Sequence, residues 1–230
     1  RGRFRLGGTL RSGGGLWIRP CGDTLRQTQT FFARGGFSGS NHYYALVYGN
    51  PGIAGREGCV LFGDGAGAAV IELCEEEDSI ISTCFGADGN LGEKSLVAAE
   101  MKIKTPFSFD NSDEKKYIEM KGGEVFKFAV TILPEIVKEL LDKANEDINN
   151  IKYIVPHQAN LRIIDEAARR LKIDKEKFYV NVDRYGNTSA ASIPIVLSEL
   201  LEKKLINKGD KILLAAFGGG LTWAGALIKF

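Results

Sequence analysis

Histidine is nearly absent from this chain of 230 residues, which carries only His42 and His157. A site built from several imidazoles is therefore excluded, and no metal site is expected. Cysteine is scarce too: Cys21, Cys59, Cys74 and Cys84 are irregularly spaced, with no Cys-x-x-Cys pair, which argues against zinc and disulfide frameworks. Charge of one sign is not in excess, since 30 basic side chains face 29 acidic ones, so no overall field draws the chain to nucleic acid or to an anionic membrane. No apolar run approaches the length that spans a bilayer, and the arginines of the N-terminus lack the apolar core of a signal peptide. The expected location is cytoplasmic. Lysine is missing before Lys94 and is the dominant basic residue afterwards.

What is present divides near Gly58. The first 57 residues are crowded with glycine and arginine, as in Gly13-Gly14-Gly15 and Arg34-Gly35-Gly36, and only short pieces such as Tyr43 to Tyr48 read as a strand. This segment is left unassigned; a flexible tail and a frame-shifted or rearranged stretch are both open. From Gly58 the local signals agree with one another, as in a selected folding unit. Cys59 to Phe62, the turn Gly63-Asp64-Gly65 and the run Ala66 to Leu73 read as a hairpin or paired strands. Glu75 to Asp78 reads as a turn, Ile80 to Phe85 as a strand, and Asp88 to Lys116 as a polar loop region. Gly123 to Ala144 carries Val125, Ala129, Ile132, Ile136 and Leu140 on one stripe, with a kink expected at Pro134. A strand follows at Tyr153 to Val155, then a helix over Asn160 to Leu171 with Leu161, Ile164, Ala168 and Leu171 inward. A strand is expected near Phe178 to Val182, a helix from Ser189 to about Lys203, and a closing pair at Lys211 to Ala216 and Thr222 to Phe230. Strand and helix alternate until that pair, which predicts a layered α/β fold.

Three features arrive where such a fold places ligands. Val155-Pro156-His157-Gln158-Ala159-Asn160 puts His157 at a strand end just before a helix, the edge at which open α/β sheets hold their sites. Taken alone, it reads more readily as a lone histidine satisfied by backbone groups, and it is the context that reverses this preference. Asn187, in Tyr185-Gly186-Asn187-Thr188-Ser189, also lies at a helix start, where a capping or turn role is the plain alternative. Phe217-Gly218-Gly219-Gly220 offers unblocked N–H donors of the kind an oxyanion hole requires, or a glycine-rich turn; it lacks the lysine of a phosphate-binding loop.

Together with Phe62-Gly63-Asp64-Gly65-Ala66-Gly67-Ala68 and Leu221-Thr222-Trp223, these segments resemble the ordered motifs of β-ketoacyl-ACP synthase III. The resemblance implies a thiolase-like layered fold, of which residues 58–230 supply the C-terminal half plus the end of the N-terminal half. It implies a Cys-His-Asn site that takes an acyl group from acyl-CoA onto cysteine and condenses it with malonyl-ACP as carbon dioxide leaves. Acyl-CoA and malonyl-ACP are then substrates, no cofactor is involved, and the protein is a homodimer. His157 and Asn187 match the family's histidine and asparagine, which hydrogen-bond the malonyl thioester carbonyl. Gly219 matches an oxyanion-hole glycine, and Asn160 and Arg162 match positions that bind the CoA or pantetheine arm, although Arg162 reads equally as a solvated helix residue. Phe62 to Gly67 is expected to be structural, a tight turn beneath the site.

The family's nucleophile would fall near Trp17, in an Ala-Cys-(Ser/Thr)-Gly-Phe setting that opens a helix. The nearest thiol is Cys21, in Arg19-Pro20-Cys21-Gly22-Asp23, without that pattern, so the nucleophile is unknown and Cys21 is a candidate by position alone. Cys59 reads as a buried core residue. A fragment, or a frame shift upstream of Gly58, is the expected origin of the change in composition. Two other readings stay open: a truncated, non-catalytic chain that keeps CoA or ACP binding, and another thiolase-fold acyltransferase. A site with two histidines would need His42, and a thiolase proper would need a second cysteine near Gly218, where there is none.

Overall fold

Ile212 and Leu213 are both fully buried, yet on opposite faces of one strand, and the same holds for Ile154 and Val155 and for Leu227 and Ile228. Continuous apolar runs of this kind arise where helices cover both faces of a sheet. The computed structural model describes residues 4–6, 31–37, 40–49, 61–73, 79–90, 96–97 and 119–230, with side chains described in 61–67, 79–90 and 119–230. The doubly covered sheet is built from β5 (Ile80–Ala87), β8 (Ile151–Pro156), β9 (Lys211–Gly218) and β10 (Thr222–Lys229), in the order β5-β10-β9-β8. β10 runs antiparallel to β5 and β9, and β8 runs parallel to β9. A second sheet has the order β1-β4-β3-β2, all antiparallel, from β1 (Phe4–Leu6), β2 (Phe31–Phe37), β3 (Ser40–Gly49) and β4 (Gly65–Leu73). β6 (Leu96–Val97) and β7 (Glu119–Met120) form a short separate pair.

One face of the first sheet is covered by α1 (Gly122–Ala144) and, beside it, α2 (Leu161–Leu171). α1 buries Ala129, Val130, Leu133, Ile136, Val137 and Leu140 on the sheet, each large side chain contributing about 1.5–3 kcal/mol of burial. It lies close: a Cβ on Gly225 of β10 would stand 2.5 Å from Ile136 and 2.8 Å from Leu140. Pro134 sits among its buried residues and the helix continues to Ala144, where Asn145 ends it in the left-handed conformation. The other face is covered by α4 (Ser192–Glu202), whose Val196 and Leu200 meet Val155, Ile212 and Ile228. The layered α/β architecture predicted from the sequence is present.

Three local expectations change. Residues 59 and 60 lie outside the described residues, but Phe62 does not pair with β4; it bridges Asn187, and β4 pairs instead with β1 and β3. No strand forms at Phe178–Val182: Phe178 makes a single bridge to Ile154, and the chain turns into the short helix α3 (Val182–Tyr185). On α2 the inward residues are Ile163, Ile164, Ala167 and Ala168, while Leu161 is 40% exposed at the helix start. The strand expected at Tyr43–Tyr48 is β3. The turn at Glu75–Asp78, the side chain of His42 and the thiols of Cys21, Cys59 and Cys74 lie outside what is described, as does most of the polar region after Asn90.

Candidate active site

The C-terminal end of β8, the start of α2, the loop before α4 and the β9–β10 turn surround one cleft of about 950 Å³. His157, Asn160, Arg162, Asn187 and Gly219 all line it, so the five residues singled out from sequence converge. Gly122, Gly123, Val125 and Phe126 of α1 close another side.

His157 follows β8, and its N–H donates to the Ala215 carbonyl at 2.7 Å, which carries the strand register one residue past the sheet. The imidazole packs edge-on to Phe217 at 5.4 Å between centroids, and Phe217 in turn meets Phe128. Burial beside these rings lowers the pKa of His157 from 6.5 to about 4, so the imidazole is neutral at physiological pH, although the residue keeps partial exposure to the cleft. Its Nδ1 lies 2.8 Å from the hydroxyl of Ser192, the first residue of α4.

Asn187 is held at both backbone groups. Its N–H donates to Leu61 at 3.0 Å and its carbonyl accepts from Gly63 at 2.9 Å, a parallel bridge between segments distant in sequence. The glycines of the Phe62–Gly67 motif are required by this approach: a Cβ on Gly63 would stand 1.9 Å from the Tyr185 carbonyl oxygen, and one on Gly67 2.4 Å from Pro194. The expected tight turn is therefore also a close packing of two segments of the chain. The Asn187 Oδ1 accepts from the Ser189 N–H at 2.9 Å, so the amide NH₂ is not needed for this cap.

Behind this loop, Glu199 of α4 is buried. It accepts from Asn181 Nδ2 at 2.9 Å, from the Arg184 guanidinium at 2.7 Å and from the Tyr185 hydroxyl at 3.3 Å, and so fastens α3 to α4. Burial pushes its carboxyl upward, but the bonds from Asn181 and Arg184 outweigh this and hold it below the ordinary value.

Asn160 serves first as the N-cap of α2, its Oδ1 accepting from the Arg162 N–H at 2.8 Å. Arg162 is exposed at the rim, with its guanidinium 5.6 Å from the Phe126 ring centre. Gly219 is exposed at the β9–β10 turn, where its carbonyl accepts from the Thr222 hydroxyl at 2.9 Å. Cys84 is the free thiol among the described residues; it is 3% exposed in the core below α1, and burial raises its pKa, so it is no nucleophile for this cleft.

The family model described as 3-Oxoacyl-[acyl-carrier-protein (ACP)] synthase III C terminal matches residues 141–230, and that described as 3-Oxoacyl-[acyl-carrier-protein (ACP)] synthase III matches residues 50–89. The chain belongs to this synthase III family. A β-ketoacyl-[acyl-carrier-protein] synthase III of Clostridium beijerinckii is 50% identical over 196 residues, which are 83% of this chain and 60% of that protein. Among solved structures, the synthase III from Aquifex aeolicus VF5 superposes with a TM-score of 0.66 at 44% identity, over 76% of this chain and 52% of that one. The synthase III from Thermus thermophilus does so with a TM-score of 0.70 at 40% identity, over 82% of this chain and 59% of that one. The fold is thus that of the thiolase-like synthases, and this chain spans about three fifths or less of the length of the relatives it matches. The family match starts at residue 50, eight positions before the change in composition at Gly58.

Two residues that support His157, Ser192 in the cleft lining and Gln158 buried behind it, were not singled out in the sequence. Ser192 touches the His157 imidazole, and Gln158 is 1% exposed with a fully used side chain: its Nε2 donates to Pro156 and Tyr179 carbonyls and its Oε1 accepts from the Asn181 N–H. A serine opening the helix after Asn187 was a visible signal for the first; for the second, adjacency to His157 was the only one.

Proposed function

We propose that this chain carries the decarboxylating half of an acyl-condensing site, which joins an acyl group from acyl-CoA to malonyl-ACP at the start of fatty acid synthesis. The observation that carries this is the convergence of His157 and Asn187 on one cleft, each with one side-chain atom engaged by the protein itself. In this reading the imidazole Nε2 and the Asn187 Nδ2 are the donors offered to the substrate.

A malonyl thioester seated there places its carbonyl oxygen between the two donors. When the bond to the carboxylate breaks and carbon dioxide leaves, its electron pair moves into the thioester as an enolate, whose oxygen bears the new charge. Fixed donors at such an oxygen contribute about 3 kcal/mol each. A neutral imidazole suits this role, because it donates a hydrogen bond without transferring its proton. The enolate carbon then attacks the carbonyl of an acyl group held on a cysteine thiolate, and the thiolate leaves as the new carbon–carbon bond forms. Gly219 N–H would hold the oxyanion of acyl transfer, and Asn160 and Arg162 would border the pantetheine arm. The reaction as proposed uses acyl-CoA and malonyl-ACP as substrates with no cofactor, in a cytoplasmic homodimer.

The test separates the two half-reactions. The full chain incubated with malonyl-CoA is expected to release carbon dioxide above the rate of the His157→Ala variant; equal rates would overturn the assignment. Incubation with acetyl-CoA followed by intact-mass measurement reads the acyl transfer, an acetyl adduct marking a competent cysteine. Without an adduct, the chain is not a complete synthase.

A further inference from the structure

The hydroxyl of Ser192 lies 2.8 Å from His157 Nδ1 and also accepts the backbone N–H of Gln158 at 3.3 Å. Ser192 is 2% exposed, and these are its two side-chain hydrogen-bond partners among the described residues. We propose that Ser192 is a positioning residue that fixes the tautomer of His157, donating its hydroxyl proton to Nδ1 and so leaving the imidazole proton on Nε2.

A hydroxyl has one proton to give and can accept two. With Gln158 N–H already donating to it, two arrangements remain at the imidazole. If Nδ1 carried the hydrogen, Ser192 Oγ would accept twice and its own proton would have no acceptor among the described groups in a buried place, an outcome that native interiors avoid. If Nδ1 is bare, it receives the serine proton, and every group of the trio is satisfied. The second arrangement places the hydrogen on Nε2, the nitrogen not bonded to Ser192, in a ring that belongs to a residue lining the cleft.

Ser192 opens an eleven-residue helix, so the partial positive charge of that helix start lies beside Nδ1 and favours a lone pair there over a hydrogen. The Gln158 side chain, bonded to Pro156, Tyr179 and Asn181, holds the peptide that offers the N–H. This assignment deepens, and rests on, the reading of His157 as a donor to the thioester carbonyl.

The experiment uses ¹⁵N-histidine label in the full chain, in which His42 and His157 are the only histidines, so His157→Gln identifies the signal of interest by its loss. A pyridine-type Nδ1 and a pyrrole-type Nε2 are expected in the wild-type protein; the reverse pattern overturns the proposal without need of any further variant. Ser192→Ala is expected to bring the two shifts towards each other and to lower kcat for malonyl-CoA decarboxylation roughly tenfold with little change in KM, while Ser192→Thr restores both. An unchanged tautomer in Ser192→Ala overturns the proposal. Should the wild-type tautomer be as expected while no carbon dioxide is released, the assignment of Ser192 stands and the catalytic reading falls.

Discussion

The backbone N–H of Gly63 donates to the carbonyl of Asn187 at 2.9 Å, with no room for a side chain between the two segments. Gly63→Ala would drive a methyl group to 1.9 Å from the Tyr185 carbonyl oxygen, a backbone atom that cannot rotate aside. Destabilisation of about 3 kcal/mol is expected, seen as a lower urea midpoint. Gly89→Ala, where nothing stands within 4 Å of the new Cβ, serves as the control and should lie within about 0.5 kcal/mol of wild type.

Asn187→Asp separates the two ends of one side chain. The remaining oxygen still accepts from the Ser189 N–H, so the loop keeps its cap, but the amide donor becomes an anionic acceptor where the proposed enolate would form. Decarboxylation of malonyl-CoA should fall by about 100-fold or more, with the unfolding midpoint little changed. A variant of undiminished rate would remove Asn187 from the chemistry.

His157 should titrate near pH 4, measured by its imidazole carbon-bound protons. The folded-state value is lowered, so the unfolded chain, with a value near 6.5, binds more protons between the two. Stability is therefore full above about 6.5 and declines as pH falls towards about 4, and His157→Gln should flatten that part of the profile. A midpoint near the ordinary value would mean that water reaches the ring.

For Glu199 the sign is the same and the window more acidic. Its lowered carboxyl value means that its bonds to Asn181 and Arg184 stabilise the fold fully above the unfolded value, near ~4.3, and are lost as pH falls through the lower folded one. Glu199→Gln should cost about 2 kcal/mol at neutral pH and progressively less in acid, since it leaves Arg184 without its carboxylate. Denaturant unfolding of both proteins from pH 7 to pH 3 reads the difference directly.

Asn160→Ala removes the cap of α2 and should cost about 1 kcal/mol. Asn160→Asp keeps the acceptor and should keep the stability. Any change in CoA-thioester affinity in the aspartate variant then belongs to ligand contact and not to folding, as isothermal titration would show.

His157, Asn187 and Gly219 were legible in the sequence because each sits where an element changes type, and such places converge at one edge of a layered sheet. The strand expected at Phe178–Val182 was misread for an instructive reason. Its period is that of a strand, and its backbone is satisfied at alternate residues, Tyr179 and Asn181, as in a ladder. The partner, however, is the Gln158 side-chain amide, which no periodicity reveals. The hairpin expected around Gly63 failed similarly: glycine was read as freedom to turn, whereas it answers to the lack of space beside Tyr185. Ser192 was visible as a serine in the expected helix, but its role rests on a contact with His157, 35 positions away, that no local pattern shows.

The bridge between Phe62 and Asn187 joins residues about 125 positions apart, so it closes a long loop and gains its contacts only after the elements between are in place. His157, by contrast, is set by the pairing of β8 with β9 and by the neighbouring α2. During refolding, the imidazole should therefore reach its native surroundings before the carboxamide does. The cleft would gain one donor early and the other only at the end, so a nearly folded chain would bind substrate with half of its electrostatics missing.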